Sequence, residues 1–194
     1  KDGSFGVFKA NFMDESYSDH FPLYATLTTQ TQVQNIAQKS INQIKKISNE
    51  RAKIVGIVLY RDKNGYILAD ESRRGIYIFE KNPSLPLGTR VEAVVNRVEN
   101  FKGNLEVTSL SYINVDTKFA SNQSDYLLSL NELSSATSGD VIGDITLNIK
   151  NGFATIFGEK FKIYSPKKEL KDGEITVKKA IVWNYKGQKE LIIE

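Results

Sequence analysis

Three short landmarks occur twice in this chain, in the same order and at nearly constant spacing. Ser-Ile-Asn-Gln-Ile begins at Ser40, and Ser-Leu-Asn-Glu-Leu begins 89 residues later at Ser129. Lys-Asn-Gly-Tyr at Lys63 is matched 87 residues on by Lys-Asn-Gly-Phe at Lys150. Phe-Lys-Gly-Asn-Leu-Glu-Val at Phe101 is matched 84 residues on by Tyr-Lys-Gly-Gln-Lys-Glu-Leu at Tyr185. Ordered self-similarity of this kind is the signature of a structural unit used more than once. Most of the 194 residues must therefore fold as two copies of one small unit.

The unit is legible in residues 54–113. Ile-Val-Gly-Ile-Val-Leu-Tyr runs from Ile54 to Tyr60 with both faces largely apolar. Asn64-Gly65 is a hairpin signal, and Tyr-Ile-Leu-Ala-Asp follows it. Arg73-Arg74-Gly75 precedes Ile-Tyr-Ile-Phe, Pro86-Leu87-Gly88 precedes a run from Arg90, and Lys102-Gly103 precedes the last run. Four or five short β-type runs cut by turn signals indicate a small antiparallel barrel or sandwich. Gly56 is expected to mark a bulge where the first strand bends. Apolar residues Val33, Ile36, Ala37, Ile41, Ile44 and Ile47 recur near helical spacing and predict a helix over residues 31–49. A second short helix is expected over 126–133, stopped at Gly139-Asp140.

The order of these parts resembles the bacterial OB-fold modules of exported proteins, often found beside nucleases. The fold expected is mainly β: two small OB-like antiparallel β-barrels with short connecting helices, preceded by a two-strand N-terminal stub. The corresponding divisions are residues 1–30, 31–115 and 116–194.

Composition removes several function classes. Zero Cys excludes a disulfide framework, a thiolate metal site and a cysteine nucleophile. One His, His20, excludes a multi-histidine metal centre within the chain. No apolar run approaches the roughly 20 residues of a spanning helix. A net charge of +3 permits a polyanionic partner without demanding one. No glycine-rich phosphate loop, serine-nucleophile motif or zinc spacing is present. Lys1 opens the chain in mid-pattern, as expected of a processed protein or an excised part.

Near the start stands Ser18-Asp19-His20-Phe21-Pro22-Leu23, with a β-type run on either side. The plain reading of His20 is a strand-edge residue beside a proline. The motif also resembles the closing segment of the endonuclease/exonuclease/phosphatase superfamily, whose fold is deoxyribonuclease I-like. The resemblance covers only about the first 28 residues. It implies that Asp19 orients His20, a carboxylate fixing the imidazole tautomer. It implies Mg2+ for the parent enzyme and an exported location. The family's other motifs are missing here, so Asp19 and His20 form an incomplete site and this chain alone is expected not to hydrolyse phosphodiesters. No cofactor is expected in the chain itself.

OB-folds bind nucleic acid through aromatic rings on their second and third strands, flanked by cations. In the first barrel the candidates are Tyr66, Arg73, Arg74 and Tyr77. In the second they are Lys160, Lys162, Lys178, Trp183 and Tyr185, and its richer lysine content makes it the better polyanion surface. Core packing explains aromatics on strands equally well. Three readings stay open. The chain is the accessory part of an exported nuclease or phosphodiesterase, a free-standing tandem OB protein binding nucleic acid or oligosaccharide, or a pair of structural or protein-interaction spacers. The partner expected of a binding module is single-stranded nucleic acid or another polyanion.

Overall fold

The structure is a computed structural model, describing residues 36–46, 50–119 and 122–194. All of these belong to one compact unit extending from Thr31 to Glu194. Asp19 and His20, and the N-terminal stub, lie outside the described residues.

Two closed five-stranded barrels follow one another. The first comprises β1 (Ala52–Arg61), β2 (Gly65–Ala69), β3 (Gly75–Phe79), β4 (Arg90–Phe101) and β5 (Asn104–Asp116). The second comprises β6 (Val141–Lys150), β7 (Phe153–Ile156), β8 (Glu159–Tyr164), β9 (Gly173–Tyr185) and β10 (Gln188–Ile193). Strand order is β1-β2-β3-β5-β4 in the first, and the second repeats it strand for strand. Each closes through a parallel contact, β3 with β5 and β8 with β10, while its remaining pairings are antiparallel. This is the OB-like topology in duplicate.

The repeated landmarks acquire a physical role. Ser40 and Ser129 each begin a capping box, the first with Gln43 and the second with Glu132. Gln38 bridges Lys53 on β1, and Leu128 bridges Ile142 on β6, both in parallel. The turns after β4, β6 and β9 carry positive φ at Lys102-Gly103, Asn151-Gly152 and Lys186-Gly187, as two-residue hairpins of this twist require. Phe157-Gly158 between β7 and β8 does the same.

Several expectations change. The helix expected over 31–49 shrinks, within the described residues, to α1 (Ile41–Ile44). Residues 37–39 instead bond to β1, through Lys39 N–H to Lys53 O and Lys53 N–H to Ala37 O. A backbone paired with a strand cannot also form a helix. For the same reason the second helix becomes two 3-10 turns, Gln123–Tyr126 and Leu130–Ser135, interrupted where Leu128 meets β6. The bulge in β1 falls between Val58 and Tyr60, not at Gly56. Gly56 serves close approach: a Cβ there would lie 2.5 Å from the Ala69 carbonyl oxygen. The Asn64-Gly65 hairpin is closed by Asp62, whose carboxylate accepts from both N–H groups at 2.7 and 2.9 Å.

Each barrel has its own apolar interior. Ile41, Ile54, Tyr66, Leu68 and Ile78 help fill the first, and Leu133, Ile145, Phe161, Val182 and Leu191 the second. A third cluster lies between them. Ile57, Leu59, Ile67 and Tyr77 on the outside of the first barrel pack against Val141 and Ile181 of the second. That contact accounts for the apolar residues on both faces of β1.

Candidate nucleic-acid interface

The seam between the barrels takes up most of the first barrel's candidate residues. Tyr66 is fully buried inside the barrel, and its hydroxyl bonds that of Tyr112 at 2.8 Å. Burial and that bond hold its phenol far above the ordinary tyrosine range. Tyr77 faces outward but into the seam, edge-on to the Trp183 ring at 5.4 Å. Arg73 makes a two-point contact with Glu132 of the second module, at 2.9 and 2.6 Å. Arg74 reaches Asp140 at 2.9 Å and the Ser135 carbonyl at 3.0 Å. These four residues present no shared platform to solvent.

Asp140 is the centre of the polar seam. Its side chain is wholly buried and accepts from Lys45 Nζ at 2.7 Å, Arg74 Nη1 at 2.9 Å and Gly75 N–H at 2.9 Å. Thr137 N–H adds a bond at 2.8 Å from its own module. Burial pulls the Lys45 ammonium below the usual lysine range, and the charge of Asp140 opposes that shift. Lys179, lowered by burial, reaches back across the seam to the Leu59 carbonyl at 3.1 Å.

The second barrel is different. Among the described residues nothing covers its outward face over β7, β8 and the end of β9. Phe153 and Lys162 are registered partners, as are Thr155 and Lys160. Lys160 Nζ lies 4.1 Å from the centre of the Phe153 ring. Lys162 and Lys186 lie 4.7 and 5.3 Å from the centre of the Tyr185 ring. Tyr164, Tyr185 and, in the β7–β8 turn, Phe157 are exposed, Phe157 the most at 66%. Cations set over aromatic rings on the second and third strands and the last hairpin are the groups with which OB-folds hold bases and phosphates.

The structure thus gathers Lys160, Lys162 and Tyr185 on one face. Trp183 shares that side of β9 but points into the seam beside Tyr77. Lys178 is exposed farther back along β9, where it pairs with Asp144 of β6 at 3.2 Å. Phe153, Phe157, Tyr164 and Lys186 join the face, although the sequence did not single them out as site residues. The match of Lys-Asn-Gly-Tyr with Lys-Asn-Gly-Phe gives no signal for Phe153, because it pairs that outward ring with Tyr66, which fills the interior of the first barrel.

Where the two surfaces meet, Glu106 on β5 is buried with 7% of its area exposed. Desolvation, then the charges of Asp62 and Glu99, hold its carboxyl above the ordinary glutamate range. The folded chain therefore keeps this proton to higher pH than the unfolded chain. The group favours folding below the ordinary glutamate range, and that contribution is lost as pH rises through the folded-state value. Glu106→Gln is expected to raise the neutral-pH melting midpoint, by about 2–4 °C for each kcal/mol relieved. At about pH 3, where both states are protonated, the midpoints should coincide. A midpoint lowered at neutral pH would mean that the carboxylate is already well paired.

No family model matches the chain, and no curated protein matches it. Solved structures are similar to it at low scores. One, described as "Molecular basis for abrogation of activation of pro-inflammatory cytokines", has 12% identity and a TM-score of 0.34, over 83% of this chain and 95% of its own. Another, described as "Structural mimicry for functional antagonism", has 13% identity and a TM-score of 0.31, over 75% and 89%. A third is the Ifi202 HINa domain in complex with 20bp dsDNA, with 12% identity and a TM-score of 0.31, over 75% and 92%. Scores this low carry no inference about ligand or family. The tandem OB-like architecture rests on the strand order itself.

Among the described residues no group of three or more His, Asp or Glu could hold a metal ion. No helix among them is long and apolar enough to cross a membrane.

Proposed function

We propose that this chain is a tandem OB-fold binding module that takes single-stranded nucleic acid on the open face of its second barrel, the first barrel serving as its rigid support. The observation that carries this reading is the set of lysine ammonium groups over the Phe153 and Tyr185 rings on that face. The equivalent face of the first barrel is covered by its neighbour. The lysines supply salt-sensitive backbone attraction, and the rings supply stacking that tolerates any base.

The test is fluorescence anisotropy with a labelled thymidine oligonucleotide of about 16 nucleotides, at about 50 and about 200 mM salt. Binding should be saturable and should weaken with salt. Lys160 and Lys186 make no ion pair among the described residues, so Lys160→Gln with Lys186→Gln removes charge without stranding a partner. Each phosphate that is no longer neutralised should reduce the salt slope by about 0.7. Unaltered affinity and slope in that variant would remove the second-barrel face from consideration, and absence of saturable binding at low salt would remove the ligand class.

The motif at residues 18–23 extends this reading to an accessory role beside an exported, Mg2+-dependent phosphodiesterase, with Asp19 and His20 contributing to a site completed elsewhere. Incubation of this chain with DNA and Mg2+ should yield no cleavage. Turnover abolished by His20→Ala would contradict an incomplete site.

A further inference from the structure

A groove of about 440 Å³ opens along the edge of the seam, next to the open face but chemically unlike it. Its walls carry six aromatic rings: Tyr60, Tyr77, Phe79 and Phe101 from the first barrel, Trp183 and Tyr185 from the second. Phe79, Phe101 and Tyr185 stand exposed at its rim. Two carboxylates, Asp62 and Glu106, line it as well.

The carboxylates differ in how they are satisfied. Asp62 accepts from Asn64 N–H, Gly65 N–H and the Tyr77 hydroxyl, all on one oxygen. Glu106 is more than nine-tenths buried, yet no hydrogen bond or ion pair reaches its side chain from the described residues. Lys102 is the cation lining the groove, but its ammonium lies over the Phe101 ring at 4.9 Å. A largely desolvated carboxylate that meets only the groove, with no donor from the described residues, is costly to keep charged. A positive group entering the groove would relieve that cost.

The geometry points to this groove as a recognition site for an arginine side chain presented by a partner polypeptide, its guanidinium held among the rings and directed at Glu106 and Asp62. A planar guanidinium satisfies both demands of the groove, because it stacks on aromatic faces and donates in a fork to carboxylates. A phosphate is repelled by the same two acids. A neutral base would leave their mutual repulsion in place. The groove shares Tyr185 with the proposed nucleic-acid face, but none of the lysines proposed for that role lines it.

Trp183 is the single tryptophan of the chain and lines the groove, so its emission reports occupancy directly. The probe is the blocked tripeptide acetyl-Gly-Arg-Gly-amide, carried into the millimolar range at constant ionic strength. It should shift Trp183 emission saturably. The same peptide with glutamine in place of arginine, and deoxyguanosine, should not. Glu106→Gln should weaken the arginine peptide about tenfold or more, as removal of a charge-assisted hydrogen bond does. Phe79→Ala, at a rim position whose removal leaves the barrel core intact, should weaken it as well. Neither variant should change oligonucleotide affinity. The proposal is overturned if the glutamine peptide acts like the arginine peptide, if deoxyguanosine is the better ligand, or if Glu106→Gln binds as tightly as the parent.

Discussion

Asp140→Ala is expected to destabilise the two-barrel unit by about 3–5 kcal/mol, the range for breaking a buried ion pair from one side. The effect has identifiable parts. Lys45, with 7% of its side chain exposed, would keep its charge in a buried site without its counter-ion. Arg74 would lose the carboxylate it meets at 2.9 Å. The N–H groups of Gly75 and Thr137 would lose their acceptor. Lys45 is already pulled below the usual lysine range by burial, and loss of Asp140 should lower it further. Urea unfolding followed by circular dichroism and by Trp183 emission gives the measurement. The Trp183 signal should change at lower urea than the bulk signal in the variant, because the seam is where it reports. Glu132→Gln is the matched control. It keeps a capping-box side chain for Ser129 and removes only the charge facing Arg73, and exposed pairs contribute less than about 1 kcal/mol. If the two variants lose the same small amount, the seam is held by its apolar contacts and not by Asp140.

Gly75→Ala should be the second most damaging change. The Gly75 backbone meets that of Gly139 directly across the seam. A Cβ at Gly75 would lie 2.2 Å from the Gly139 carbonyl oxygen and 3.0 Å from a methyl carbon of Ile67. The obstacle is backbone, so no rotamer change relieves it. A shift of the barrels must follow, with a cost of about 1–3 kcal/mol typical of overpacking. Tyr77 and Trp183 should lose their edge-to-face packing, seen as a change in Trp183 emission in the folded state. Combined with Asp140→Ala the costs should not add, since both changes open one junction. Full additivity would show that the two features act independently.

Much of the fold could be read from residues alone. The paired Gly-containing turns and the repeated landmarks located both barrels, because a two-residue hairpin constrains backbone angles locally. The seam was far less legible. Alternation along β3 places Tyr77 and Phe79 on one face but does not say that a second barrel covers Tyr77 and leaves Phe79 half in solvent. The apolar residues on both sides of β1 were the visible trace of that covering. Asp140 reads as turn punctuation after Gly139, since its partners Lys45 and Arg74 are 95 and 66 residues away. Tyr66 is misleading for a local reason. It follows the Asn64-Gly65 turn as an exposed platform residue would, yet strand parity turns it inward. On the second barrel Lys160, Lys162 and Tyr185 lie together, while Lys178 sits farther back along β9 beside Asp144, a separation that lysine content alone does not show.

The turn between β2 and β3 has a consequence for how such modules can be strung together. In the first barrel this turn supplies the Arg73 and Arg74 contacts that grip the following module. Its counterpart in the second barrel is the two-residue Phe157-Gly158 turn, which has no arginine. The contact is head-to-tail, and only the first barrel has the hook. A further copy could not be gripped by the second barrel through that contact. The same short turn leaves the outward sides of β7 and β8 uncovered among the described residues.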